Sequence, residues 1–158
     1  MYPIRRAETK DISRILCLLT HVCELHHNIR PDIFKPNQTK YAAEELKTII
    51  TNELSPVFVY DDGEVLGYVF CQIQELKSHR IMVDRKILYI DDICVDEKER
   101  CQGIGSKLFS HVHDFAKQTG CQSIILNVWE GNDKAQWFYK HVGMKVLKTC
   151  MEMKLSDS

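Results

Sequence analysis

The chain has 158 residues, of which 21 are Lys or Arg and 22 are Asp or Glu, for a formal net charge of −1. That length suits one domain, residues 1–158, with a single sizeable core. The near cancellation of charge excludes the strongly basic field of a protein that grips nucleic acid or an anionic membrane.

"YPIRRA" reads as a first strand. Ile12, Ile15, Leu16, Leu19, Val22 and Cys23 then recur on one helical face, with Thr9 or Asp11 available as cap. Pro31 and Pro36 break "HHNIRPDIFKPN" into a loop. A second helix is predicted from about Lys40 to Asn52, with Leu46, Ile49 and Ile50 inward. "PVFVY", the turn "DDG" and "EVLGYVFCQIQEL" form a predicted β-hairpin, and "KILYIDDICV" the next strand. A helix follows from about Ile104 to Thr119, with Gly120 where a C-terminal cap belongs. The apolar run in "CQSIILNVW" predicts a strand buried on both faces. A short helix from Asp133 to His141 ends at Gly143, and "MKVLKTCMEMKL" is expected to supply closing strands. Strands and helices thus alternate around a mixed sheet, an α/β fold.

No apolar run approaches the ~18 residues that span a bilayer. The start, "MYPIRRAETKD", lacks the apolar stretch of a signal peptide, so a cytoplasmic protein is expected, with no membrane partner. The seven cysteines, at 17, 23, 71, 94, 101, 121 and 150, are odd in number and never spaced C-x-x-C. Neither a disulfide framework nor a metal site is expected. Most should be small core hydrophobes. Cys101, in a glycine loop, is the candidate for reactivity.

That loop, "DEKERCQGIGSKLF", sets Gly103 and Gly105 at the start of a helical pattern, where glycine costs about 1 kcal/mol relative to alanine. Helix N-termini carry unpaired N–H groups and partial positive charge, and glycines let a phosphate approach the main chain. Gly103 and Gly105, with Arg100 nearby, therefore suggest a pyrophosphate cradle, against the simpler reading of a tight turn. "GIGSK" lacks the spacing of a P-loop, and a Rossmann fingerprint would need a third glycine and an early strand.

The pattern R-x-x-G-x-G (Arg100, Gly103, Gly105) after a strand resembles the acyl-coenzyme A loop of the GNAT superfamily of N-acetyltransferases. "YIDDICV" is similar to that family's fourth strand, and "LNVWEGNDKAQWFYKHVGM" to its fifth strand and following helix. The resemblance runs from about Lys86 to Lys154. It implies a mixed, mostly antiparallel sheet flanked by helices, with parallel strands 4 and 5 splayed around acetyl-coenzyme A. The pantetheine arm would lie along Ile93, Cys94 and Val95, and the pyrophosphate would meet the main-chain N–H groups of Cys101, Gln102, Gly103, Ile104, Gly105 and Ser106. Asn132 and Lys134 match positions that contact the cofactor, while Ala135 and Phe138 would line the arm's path. Ala135, Phe138, Tyr139 and Val142 also form an apolar helical stripe, which is core first.

The implied reaction is attack of a neutral primary amine on a thioester. An alkyl amine is mostly protonated at neutral pH, so a base or water chain must take a proton, and the departing thiolate benefits from an acid. Tyr139 matches the family's tyrosine that protonates the sulfur. Asp91 and Asp92 lie in an otherwise apolar strand, where carboxylates are costly unless used or paired. Adjacent strand residues face opposite sides, so only one should enter a given cleft. "YIDDICV" resembles the polyamine and diamine branch, with Asp91 as base or amine anchor and Asp92 either structural or in that role itself. The glutamate of other branches falls on Tyr89. His111 and His113 read as exposed helix positions. His26, His27, Arg30, Phe34 and Tyr41 fall where the resemblance puts the acceptor pocket. The implied function is acetyl transfer to a small cationic amine. Alternatives are acetylation of a protein lysine or N-terminus, and a non-catalytic acyl-coenzyme A sensor. A homodimer through the C-terminal strands is a family-level expectation.

Overall fold

The computed structural model describes residues 3–100 and 102–156. The chain divides into two compact units, Met1–Asn127 and Val128–Ser158.

In the first unit, β1 (Ile4–Arg6), β2 (Val57–Asp61), β3 (Val65–Leu76), β4 (Arg85–Val95) and β5 (Ser123–Leu126) form one sheet in the order β1-β2-β3-β4-β5. The first three pairings are antiparallel, and β4 and β5 run parallel. The β2–β3 turn uses Gly63 at φ +87°, a conformation open to glycine.

Helices cover both faces of this sheet. On one face, α1 (Ile12–Ile29) and α2 (Ala43–Thr51) pack Ile12, Ile15, Leu18, Leu19 and Leu46 onto Val57, Val59, Tyr68, Phe70 and Cys94. Leu18 is fully buried although the predicted helical face passed over it. On the other face, α3 (Ile104–Gln118) sets His111 and Phe115 edge-on to Phe58, at 4.7 and 5.2 Å between ring centres. His111 is therefore half-buried, not an exposed helix position, and burial lowers its pKa. Gly67 permits the close approach of β3, β4 and α3. A Cβ there would stand 2.9 Å from the Cys94 carbonyl and 3.2 Å from Leu108.

Asp11 ends on the entrance to α1 but does not cap it with its side chain. Its buried carboxylate instead takes two hydrogen bonds from Arg5, at 2.8 and 2.9 Å, and one from the Glu8 N–H at 2.7 Å. Those bonds, led by Arg5, hold its pKa below the ordinary carboxylate value. Arg5 also binds Asp61 at 2.8 Å, tying β1, β2 and α1 together. The second helix begins at Ala43, three residues later than the pattern predicts, because Glu45 reaches back to the Ala42 N–H.

β5 spans only four residues, all partly exposed, instead of being buried on both faces. It is the last strand of the sheet, and an edge strand shields one side less well. Of the six described cysteines, all free, Cys71 and Cys94 are buried, Cys23 and Cys121 lie between, and Cys17 and Cys150 are exposed. The expected core role thus fails for those on helix surfaces and in the C-terminal segment.

In the second unit, α4 spans Asp133–His141, as predicted, with the Asn132 side chain accepting the Ala135 N–H at its start. Gly143 follows at φ +104°. The closing strands expected over residues 144–155 are not formed, since no strand follows β5 among the described residues. The alternation of Met151, Met153 and Leu155 with Glu152 and Lys154 specifies a one-faced strand, but a ladder also needs a partner edge.

Candidate active site

β4 and β5 pair only from Ile87 with Ser123 to Ile90 with Leu126. β4 continues to Val95, whereas β5 stops. From Asp91 to Val95, the edge of β4 turned away from β3 has no ladder partner among the described residues. Its main-chain groups can therefore serve an extended ligand.

The strand carries a bulge at this point. Phe70 faces Asp92 while Cys71 faces Ile90, which leaves Asp91 as an extra residue. A bulge interrupts side-chain alternation and re-aims the strand. Adjacent residues here do not serve opposite faces as the sequence suggests. Asp91 accepts hydrogen bonds from the Tyr41 hydroxyl and, at 2.9 Å, from Lys40 Nζ. Asp92 accepts one from the Tyr68 hydroxyl at 2.6 Å. Tyr68 and Phe70 belong to the core beneath α1 and α2, and Tyr41 packs against it. The rings follow one another at 5.0 and 5.6 Å. Both carboxylates therefore lie on the α1/α2 side.

Their surroundings differ. Burial pushes the Asp92 carboxyl up to about 6, although it keeps some accessible surface, as a group on the floor of a cleft does. The Tyr68 hydrogen bond and the Lys40 charge oppose that rise, and the Asp91 charge adds to it. Burial and the Asp91 bond raise the Tyr41 phenol, and burial with the Asp92 charge raises that of Tyr68. Both hydroxyls remain protonated donors at neutral pH. Cys94, next along β4, is pushed up to about 12 by burial and by Asp92, so its thiol is inert.

The loop after α1 borders this pair. His26 stacks on Phe34 at 5.0 Å, and His27 Nδ1 lies 2.7 Å from the Phe34 carbonyl. Burial, then the Lys40 charge, lowers the His26 pKa. Arg30 pairs with Asp32. Sequence reasoning named Tyr41 and this loop but missed Lys40 and Tyr68. Lys40 precedes a helix with no motif around it. Tyr68 shows only as one aromatic in an alternating strand.

Beyond β4, Asp96 accepts the Lys98 N–H at 3.0 Å and the Arg14 guanidinium, which anchors the approach to the glycine loop. Cys101 lies outside the described residues. Gly103 occupies the N-cap of α3 at φ +78°, and no side chain caps the helix. A Cβ at Gly103 would meet nothing within 4 Å, so the glycine is required by conformation rather than by space. Ile104, Gly105 and Ser106 form the first turn, whose N–H groups have no carbonyl four residues earlier inside the helix. Arg100, Gln102 and Ser106 are exposed beside them. A cleft of about 60 Å³ runs between His21, Val22 and Leu25 of α1 and Cys94, Val95 and Arg100. An uncapped helix start, an adjacent arginine and an open strand edge fit a diphosphate bearing an extended amide arm.

In the second unit, Asn132 caps α4, Lys134 is exposed, and Ala135, Phe138 and Tyr139 are partly buried. The Phe138 and Tyr139 rings meet edge to face at 5.4 Å. Trp137 points outward and stacks on His141 at 4.9 Å. No group of three or more His, Cys, Asp or Glu suited to a metal occurs among the described residues. None of their helices is long and apolar enough to cross a membrane.

Comparison with known proteins agrees with this geometry. Residues 21–144 match the acetyltransferase (GNAT) family. A mutant of the BH1408 protein from Bacillus halodurans superposes with a TM-score of 0.93 at 32% identity, covering 97% of this chain and 99% of that one. The uncharacterized N-acetyltransferase YhfO of Bacillus subtilis is 27% identical over 141 residues, 89% of this chain and 87% of its own length. The thialysine N-epsilon-acetyltransferase of Sus scrofa is 40% identical over 60 residues, 38% of this chain and 35% of that enzyme. The chain belongs to the acetyltransferase (GNAT) family and is an acyl-coenzyme A-dependent N-acetyltransferase.

Proposed function

We propose that the chain transfers the acetyl group of acetyl-coenzyme A directly to the primary amine of a small cationic acceptor within a ternary complex. The observation that carries this reading is the pair of carboxylates brought to one side of β4 by the bulge, immediately past the end of the β4–β5 ladder. In it, Asp91 holds the ammonium of the acceptor. Asp92, ionised just above pH 6, takes up its proton, directly or through water. The cofactor's diphosphate rests on the main-chain N–H groups from Cys101 to Ser106 with Arg100, and its arm follows Ile93, Cys94 and Val95. Asn132, Lys134, Ala135 and Phe138 complete the cofactor contacts. The Tyr139 hydroxyl gives a proton to the departing sulfur. A relative that acts on thialysine, an amine of this size and charge, supports the acceptor class. The exposed Val146, Leu147, Met151 and Met153 support a homodimer through the C-terminal segment, which light scattering would test.

Thiol release from acetyl-coenzyme A should depend on a small amine in a panel of diamines, thialysine and aminoglycosides, and exceed that with lysine peptides. Tight coenzyme A binding without amine-dependent release would replace this reading with a sensor. Release driven only by peptides would replace it with protein acetylation.

A further inference from the structure

The acceptor carboxylate already holds a primary ammonium of this chain. Lys40 Nζ lies 2.9 Å from Asp91 Oδ1 and 3.4 Å from the Asp91 carbonyl oxygen, and 5.7 Å from the centre of the Tyr41 ring. Lys10, Lys47 and Lys77 form ion pairs with carboxylates at most three residues away. Lys40 instead reaches a strand 51 positions along the chain. Asp91 is only 12% exposed, whereas the Lys40 side chain is 42% exposed and sits in an irregular stretch before α2. Its amine is therefore both directed at the site and reachable.

We infer that Lys40 is an internal acceptor: the enzyme acetylates its own Lys40 when acetyl-coenzyme A is present without an outside amine. The inference rests on the acetyl-transfer reading above. After the ammonium loses one proton to the Asp92 carboxylate, the Nζ lone pair adds to the thioester carbonyl. The N–C bond forms and the C–S bond breaks. The second amine proton goes to the sulfur, and coenzyme A leaves as its thiol. Holding amine and thioester at one site raises their effective concentration far above that at a surface lysine.

The product is a neutral amide that no longer pairs with the Asp91 carboxylate. Acetylation of Lys40 thus uncovers the carboxylate for a cationic acceptor and raises the affinity for it. The resting enzyme, by contrast, has its own ammonium competing for that place.

The full chain, incubated with acetyl-coenzyme A alone, should gain a single acetyl group, mapped by peptide mass spectrometry to Lys40. Labelling there should be at least about tenfold faster than at Lys47 or Lys77, which report chemical background. Asp91→Asn should slow labelling of Lys40 to that background, and Lys40→Arg should abolish the fast phase. Pre-acetylated enzyme should show a lower KM for the best amine of the panel. If Lys40 is labelled no faster than Lys47 and Lys77 while amine-dependent thiol release proceeds, the self-acetylation is overturned and the transfer reading stands. If neither labelling nor amine-dependent release occurs, both fall.

Discussion

Tyr68 on β3 donates a 2.6 Å hydrogen bond to Asp92 diagonally across the β3–β4 pair, Tyr68 itself facing Cys94. A hydrogen bond to the charged form favours it, and this one works against the burial that raises the Asp92 carboxyl. Tyr68→Phe should move the acid limb of the kcat/KM profile to higher pH, with a stability loss of about 1.5–3 kcal/mol for a bond to a charged acceptor. A tyrosine that only filled space would leave the limb where it was. The pH profile of the variant checks this.

Asp92 itself opposes folding at neutral pH. Its carboxyl titrates at about 6 in the fold against an ordinary 3.8. The native state therefore binds this proton more tightly, and stability falls as pH rises from about 4 through 6. The separation of those values corresponds to about 3 kcal/mol at most. Asp92→Asn should be more stable than the wild type at pH 8 in urea denaturation, and the gain should shrink as pH drops towards 4. Turnover should fall by about 10²-fold or more, the usual contribution of a proton-transfer group. Lower turnover without that pH-dependent gain would place Asp92 outside a buried, ionised role.

Tyr139→Phe deletes one hydroxyl from a partly buried ring in α4. The proposed acid role predicts a drop in kcat of roughly 10²-fold, with coenzyme A affinity by calorimetry unchanged. Full transfer at every pH would remove the residue from the mechanism.

Two glycines should respond differently to alanine. At Gly67 the new Cβ would press on the Cys94 carbonyl and Leu108, so β3, β4 and α3 must part, at a cost of about 1–3 kcal/mol. The displaced segment of β4 is the proposed arm-binding edge, so coenzyme A affinity should fall as well. At Gly103 the Cβ meets no protein atom, so the fold bears only the left-handed backbone penalty of roughly 1–2 kcal/mol, and any loss of coenzyme A affinity comes from crowding the proposed diphosphate cradle directly. Thermal unfolding and calorimetry on the two variants separate these effects.

Much of this arrangement can be read from residue order. Gly120 and Gly143 predict the ends of α3 and α4, and the Asp62–Gly63 turn predicts the β2–β3 hairpin. The left-handed start of α3 at Gly103 shows as glycines where a helix should avoid them. What stayed hidden depends on partners distant in sequence. Lys40 becomes part of a site only because the chain folds back onto β4. The apolar alternation of 151–155 predicts a strand face without saying which edge would receive it. Asp11 reads as a helix cap, yet Arg5 and the Glu8 N–H claim its carboxylate first.

The extra residue at position 91 has a consequence for any change of length in β4. In an unbroken ribbon, two groups aimed the same way must be separated by one position, and neighbours are opposed. The irregularity lets consecutive codons supply a side-by-side dianion. Deleting Asp91 should restore regular pleating without turning Asp92, which already faces Phe70 on the α1/α2 side. The site would then keep one carboxylate and lose the second, while the rest of β4 stays in step with β3.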